Sequence, residues 1–303
     1  MIVETRERRS DPKRSRWWLR GCFGLLLALL FAVAGSVHAR TIKIATWNLE
    51  WLTLRPQGDP ALPNGVAPKT ADAITRLRDY AIKLDADVVA FQEVDGAGMA
   101  ARIFLPGRYQ IVMGNGTEIQ RVGFAIRNNI NFTRNPDLYA LNLGNQGLRG
   151  GTDITIALDH SQLRLLAVHL KSGCSNTKLS RSDETTACAE LHRQIPLLQN
   201  WIADRATAND AFLLLGDFNR RMNDQDQMWK ALQRKAPLTL TDEGQDSPCW
   251  GGGSFIDHLI TGGPARDWLV PGSLRVLVYR EQGDAEKALL SDHCPVSAKF
   301  ELN

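Results

Sequence analysis

The 303-residue chain has no Cys-x-x-Cys pair, and the spacing of its five cysteines fits no common zinc pattern, which excludes the usual structural zinc modules. It has no internal repeat and no coiled-coil heptad, so solenoid and long coiled-coil architectures are out. No low-complexity tract interrupts it. Beyond one apolar run near the start there is no second apolar span, which excludes a bundle of membrane-spanning helices. A positive surplus is also missing where it would count. The whole chain is +3, but residues 4–20 hold seven Lys/Arg and three Asp/Glu, so residues 40–303 carry 29 basic and 30 acidic side chains and a net charge of −1. Those residues do not recognise a polyanion by global charge.

What is present begins with residues 1–39, which read as an export signal. A basic stretch precedes the uncharged, Leu- and Ala-rich run Gly21–Val37, and Val37-His38-Ala39 is a small-residue cleavage site. The competing reading is an uncleaved anchor, because 17 uncharged residues are at the short limit for a span. Cys22 precedes the apolar run instead of following it, so it is not a lipid-attachment site, and Arg8-Arg9 lacks the apolar residues of a twin-arginine signal. The expected location is periplasmic or extracellular. Residues 40–303 suit one α/β domain.

Four cysteines follow residue 39: Cys174, Cys188, Cys249 and Cys294. An even count in an exported chain points to disulfides. Cys174 and Cys188 bracket a polar segment that a local bridge would pin, which leaves Cys249 for Cys294. Free buried thiols are the alternative.

Strands are predicted at 42–47, 87–91, 109–113, 122–126, 154–158, 163–169, 212–215, 255–260, 274–278 and 296–300, with a tight turn at 159–162. Helices are predicted at 69–84, 96–104 and 183–206, the last kinked or broken at Pro196. Many strands with few intervening helices fit two mixed sheets packed face to face with helices outside, not a doubly wound parallel sheet.

Several predicted strands end in polar residues where another Val would pack better: Asn48 and Glu50, Gln92-Glu93, His169, Asp217-Phe218-Asn219, and Asp292-His293 ahead of the last strand. Such ends are costly in isolation and make sense as one shared site. Glu93 follows an apolar strand and calls for a hard cation with oxygen ligands, Mg²⁺ first, with Mn²⁺ or Ca²⁺ possible. Asp217 and Asn219 are two apart and share a face of an extended segment. One would hold or deprotonate a water and the other would donate an amide N–H to a phosphate oxygen. Asp257 would fix the tautomer of His293. Arg121 and Arg220 (with Arg221 beside it) are candidate phosphate contacts. Trp250 followed by three glycines is either a stacking rim or a plug under the Cys249 bridge. His258 and His192 are assigned no role in the site. No Ser-His or Cys-His arrangement competes, so no covalent intermediate is required.

In order, W-N at 47–48, Q-E at 92–93, H-L-K-S-G at 169–173, G-D-F-N at 216–219, F-I-D-H at 255–258 and S-D-H at 291–293 resemble the endonuclease/exonuclease/phosphatase superfamily. The resemblance runs from Ile42 to Phe300. It implies a four-layer αββα sandwich with the site at one rim. It also implies Glu93 as principal metal ligand, Asn48 beside it as ligand or donor, Glu50 reaching the metal through water, Asp292 near the metal, and Asp257 orienting His293. His169 matches the deoxyribonuclease-, sphingomyelinase- and inositol-phosphatase-like members. Its expected side-chain partner is Gln120 or Glu118. The function expected is metal-dependent phosphodiester hydrolysis by a monomer with no protein partner, with nucleic acid as substrate. A lipid or inositol phosphate substrate, or a binding module without chemistry, is the alternative. The seven motif carboxylate, amide and imidazole residues Glu93, His169, Asp217, Asn219, Asp257, Asp292 and His293 are all in place, which disfavours the module.

Overall fold

A computed structural model describes residues 40–145, 147–158, 161–179 and 187–302. The expected export signal, the turn residues Asp159-His160 and the first turn expected of the long helix lie outside the described residues. Along the first half run β1 (Arg40–Leu52), α1 (Ala71–Leu84), β2 (Val88–Val94), α2 (Ala97–Ile103), β3 (Tyr109–Met113), β4 (Arg121–Arg127), β5 (Asn131–Arg134), β6 (Thr152–Leu158) and β7 (Ser161–His169). Then come α3 (Ala187–Thr207), β8 (Phe212–Asp217), α4 (Gln227–Gln233), β9 (Leu238–Leu240), β10 (Asp246–Ser247) and β11 (Gly253–Ser254). The chain closes with β12 (Asp257–Gly262), α5 (Ala265–Trp268), β13 (Arg275–Val276), α6 (Asp284–Leu289) and β14 (Val296–Leu302).

Two six-stranded mixed sheets result, in the orders β13-β14-β1-β2-β4-β3 and β5-β6-β7-β8-β12-β9, with β10 and β11 as a separate ribbon. The central strands β2, β4, β8 and β12 are buried on both faces, so they carry few exposed positions and do not alternate. Period two sorts their residues between layers. Ile42, Ile44, Val88 and Ala90 meet Leu163, Leu165, Leu213 and Leu215 between the sheets. Ala45, Trp47, Val89 and Phe91 face α1 and α2 through Leu77, Tyr80 and Ile103. Leu166, Val168, Phe212 and Leu214 face α3 and α4 through Ile195, Leu198, Trp201 and Trp229. Three apolar interfaces make four layers, the αββα sandwich. No helix among the described residues is long and apolar enough to cross a membrane.

Details differ from the sequence reading. α3 continues through Pro196 without a break. Its buried face, Leu191, Ile195, Leu198, Trp201 and Ile202, holds it on the sheet despite the missing N–H. The strand expected at 274–278 pairs only at Arg275 and Val276. β12 starts at Asp257, two residues later than expected.

Candidate active site

At one end of the sandwich the columns of side chains between the sheets turn from apolar to polar together. In β1, Ile42 and Ile44 give way to Thr46 and Asn48. In β2, Val88 and Ala90 give way to Gln92. Leu163, Leu165 and Ala167 lead to His169 in β7, and Leu213 and Leu215 lead to Asp217 in β8. β12 runs the other way, so its first residue, Asp257, reaches the same end. Register pairs His169 with Asp217 and Asp217 with Asp257. Asn48 faces them from the other sheet, its Nδ2 donating to Asp217 Oδ2 at 3.0 Å and to Glu93 Oε1 at 3.1 Å.

Glu93 breaks the parity rule, since strict alternation after Gln92 would turn it toward the helices. A register shift between Phe91 and Val94, with another between Asn48 and Leu52, re-aims it. The backbone there is left-handed: φ is +61° at Glu93, +41° at Glu50 and +50° at Trp51, and Asn219 across the site has +52°. Non-glycine residues in this region cost on the order of 1–3 kcal/mol each and cluster at functional sites. The strained turn brings the Trp51 N–H to Glu93 Oε2 at 3.1 Å.

His293 lies between α6 and β14. Ser291 Oγ donates to Asn48 O (2.8 Å) and accepts from His293 N (3.0 Å). Tyr279 donates its hydroxyl to His293 O and accepts from Trp47 Nε1, both at 3.0 Å. The Cys249–Cys294 disulfide joins this turn to the segment before β11. Trp250 beside it stacks on Tyr279, centroids 5.1 Å apart, and donates Nε1 to Ser291 O at 2.9 Å, so it plugs the rim from beneath. The second disulfide, Cys174–Cys188, ties the segment after β7 to α3.

The result is a pocket of about 260 Å³ whose lining includes Glu50, Glu93, His169, Asp217, Asn219, Asp292 and His293. His293 Nδ1 is 2.7 Å from Asp257 Oδ2, and its Nε2 is 3.8 Å from Asp217 Oδ2 and 3.7 Å from Asp292 Oδ1. Burial alone would lower the His293 pKa, but Asp257 and Asp217 outweigh it and hold the imidazole well above its usual value. Burial raises the Asp217 carboxyl to about 7, against the pull of His293. Burial keeps His169 well below the usual histidine range, with Arg149 and His293 adding to the effect. Its Nε2 faces Glu93 Oε1 at 3.6 Å and Asp217 Oδ2 at 3.5 Å. A neutral imidazole, a protonated imidazole and a carboxyl poised near neutrality therefore share one pocket.

The donor set suits a hard cation. Glu50, Glu93, Asp217, Asp257 and Asp292 bring five carboxylates to one rim. Burial pushes Glu50 up to about 7 even with Lys69 Nζ at 3.7 Å, the mark of a carboxylate whose charge is not fully matched by protein cations. Two donor groups border the pocket. Glu93 and Glu50 stand on one side. Asp217, Asp257 and His293 form the other, with ligand atoms all within 4.8 Å of one another. Asn48 acts here as a donor that fixes carboxylates: its Oδ1 accepts from Glu50 N at 2.9 Å, which orients Nδ2 toward Glu93 and Asp217. Asn219 Nδ2 donates to Leu170 O (3.1 Å) and Asp217 Oδ2 (3.2 Å), and its backbone N–H donates to Asp217 Oδ1 (2.8 Å).

One phosphate contact expected from sequence, Arg220, is corrected. Arg220 is 3% exposed and forks onto Asp226 at 2.8 and 2.7 Å, with further bonds to Cys174 O and Thr177 O. It braces the loop after β8 and does not reach the pocket. Arg121 lies against Gly96 and Asp95, outside the pocket lining. Neither Gln120 nor Glu118 partners His169. Gln120 accepts from Arg149 Nη1 at 3.4 Å, and His169 Nδ1 has no hydrogen-bond partner among the described residues. His258 is more than a neighbour: fully buried, it places Nδ1 2.9 Å from Asp242 Oδ2 and Nε2 2.8 Å from Arg220 O. Sequence reasoning missed Arg149, Trp51 and Ser172, all in the pocket lining. Ser172 lies inside the H-L-K-S-G motif and was open to notice. The other two had no local signal.

The Endonuclease/Exonuclease/phosphatase family matches residues 45–293. No curated protein matches the chain. Among solved structures, TDP2 of D. rerio complexed with a single-strand DNA product is similar at 15% identity and TM-score 0.59, over 86% of this chain and 99% of that one. The human Nocturnin catalytic domain with bound sulfate has 17% identity and TM-score 0.54, over 87% of this chain and 95% of that one. The 3′-5′ exonuclease NExo of Neisseria meningitidis has 18% identity and TM-score 0.55, over 86% of this chain and all of that one. Fold and site define a hydrolase of phosphoric ester bonds. The chain belongs to the Endonuclease/Exonuclease/phosphatase family.

Proposed function

We propose that the protein is an exported, Mg²⁺-dependent phosphodiesterase acting on nucleic acid, most simply as an endonuclease. The observation that carries the reading is the meeting of the His293–Asp257 pair with Asp217 and Glu93 at one rim, since that set serves water attack on phosphorus and little else. Glu93 and Glu50 would hold the cation, with Asp292 close by. When bound, the ion would polarise a phosphoryl oxygen and offset the charge that develops there. Asp217 takes the proton of the attacking water as its oxygen bonds to phosphorus. Protonated His293 would face a phosphoryl oxygen, the Asn219 amide would give up its bond to Asp217 to donate to another, and the P–O bond to the leaving group breaks in line. Asp257 holds the His293 ring in place. Two disulfides support export, and the signal-like residues 1–39 agree with it. Among similar structures, D. rerio TDP2 is complexed with a single-strand DNA product and NExo from Neisseria is bound to a product DNA hairpin, which favours nucleic acid over lipid. Purified protein incubated with plasmid, single-stranded DNA, RNA, sphingomyelin and inositol phosphates tests this. Nucleic acid is expected to be cut with Mg²⁺ and spared with chelator. Release of phosphocholine or inorganic phosphate with nucleic acid intact would overturn it.

A further inference from the structure

A second, larger hollow opens beside the catalytic pocket, about 670 Å³, and the two share Trp51, Gln120 and Arg149 as common walls. Pro60, Leu62 and Pro63 form one side. Tyr139, Asn142 and Asn145 form the other. Tyr139 is among the few large apolar side chains that stand in solvent, 57% exposed. Its position is built, not accidental. Leu138 and Gly151 exchange backbone hydrogen bonds at 2.9 and 3.1 Å, and Gly150 lies so close that a Cβ there would be 3.1 Å from Tyr139 Cα and 3.5 Å from its ring. The ring is thus seated on Gly150, next to Arg149 in the chain, and lines the larger hollow.

Arg149 is the second observation. It is 6% exposed, yet among the described residues it forms no ion pair. Its Nη atoms reach only neutral oxygens, of Gln120 (3.4 Å), Gly147 (3.0 Å) and Leu170 (3.4 Å), and its buried Nε has no partner. Glu93, Asp217 and Glu118 act on its charge from a distance, but no carboxylate hydrogen-bonds it, which leaves the guanidinium able to take a phosphate oxygen. The hollow itself is close to neutral, with Glu118 and Arg149 as its charged lining residues. Duplex binding relies on many phosphate contacts from a basic face, which neither this hollow nor residues 40–303 as a whole supply. One guanidinium beside one exposed aromatic ring suits a single strand, held by stacking with few phosphate contacts.

We infer that this hollow is a nucleotide subsite that selects an unpaired strand: Tyr139 stacks on a base and Arg149 takes the phosphate between that nucleotide and the scissile one. The inference rests on the nucleic-acid reading above and narrows it to single-stranded substrate. Fluorescence anisotropy with a labelled oligothymidylate and with a blunt hairpin duplex, in the presence of chelator, measures the subsite apart from turnover. The single strand is expected to bind at least about tenfold tighter than the duplex, Tyr139→Ala to weaken it about tenfold, and Tyr139→Phe to keep the affinity. Ile82→Ala, an exposed residue on α1, is the unaffected control. Unchanged melting of Tyr139→Ala shows that the fold is kept. Equal binding of both forms, no effect of Tyr139→Ala, or loss of sphingomyelin-vesicle binding in that variant would overturn the subsite. If the protein still cuts nucleic acid with Mg²⁺ in those cases, the proposed function stands without it. If it neither binds nor cuts any nucleic acid, the proposed function falls first.

Discussion

Arg220 and Arg149 show how little a side chain's identity says before its surroundings are known. Arg220 follows the G-D-F-N turn and reads as a phosphate contact, but it is spent on Asp226 and two carbonyls. Its truncation strands a buried carboxylate, so Arg220→Ala is expected to cost about 3–5 kcal/mol in urea unfolding, while KM of the folded fraction stays put. A raised KM without lost stability would return Arg220 to the substrate. Arg149 carries no motif and acquires its meaning only from burial beside the pocket. His258 gives a pH-dependent case. Both ring nitrogens face acceptors, Asp242 and Arg220 O, so the ring is held doubly protonated. Burial would lower its pKa, but the Asp242 charge and hydrogen bond prevail and raise it. A raised folded-state value stabilises fully below the unfolded pKa, about 6.5, and the gain is lost as pH rises through the folded value. The gap in unfolding free energy between the protein and Asp242→Asn should therefore be widest near pH 6 and narrow above it. A gap that is constant or grows with pH would refute the charged pair.

At the scale of elements, the site is what strand parity leaves at the end of each column. Asn48, His169 and Asp217 were legible because each closes a run whose alternate residues are core, whereas Asp257, which opens β12, was legible through the F-I-D-H motif and its pairing with His293. Glu93 was legible as a polar end, but its direction was not, since a bulge and three left-handed residues decide it and no residue type announces them. Pro196 does not break α3, because local propensity gives way to the apolar face that seats the helix. Gly216 is the backbone counterpart of these features. Its φ is +144°, and a Cβ would lie 2.0 Å from Val168 O on the neighbouring strand, immediately before Asp217. Gly216→Ala is expected to separate β7 from β8, costing more than about 2 kcal/mol in chemical denaturation, and to depress activity by moving Asp217 from His169. A variant of native stability and activity would show that this close approach is not needed.

For the molecule as a whole, fold and chemistry sit on different supports. Three apolar interfaces build the sandwich, and the two disulfides brace the loops around its active rim. Their sequence separations are 14 for Cys174–Cys188 and 45 for Cys249–Cys294. Loop-closure entropy assigns them about 3 and about 4 kcal/mol, so reduction should lower the melting temperature, and loss of the second bridge alone should lower it more than loss of the first alone. Melting that ignores reductant would contradict this. The layered architecture was legible because strands buried on both faces write continuous apolar runs. Contacts at the ends of neighbouring strands, such as Arg149 with Leu170 or His258 with Asp242, join residues distant in the chain and leave no local trace. The central claim is that Glu93 of β2 and His293, which precedes β14 of the same sheet and pairs with Asp257 of the other, act on a single reacting phosphate. Its most direct test is phosphodiester turnover by the Mg²⁺-loaded protein, by Glu93→Gln, by His293→Ala and by the double variant. The account predicts that each single change lowers kcat by about 10²-fold or more and that the double variant falls scarcely further than the worse single, as parts of one unit do. Turnover within about twofold of the parent in either folded single variant would contradict it.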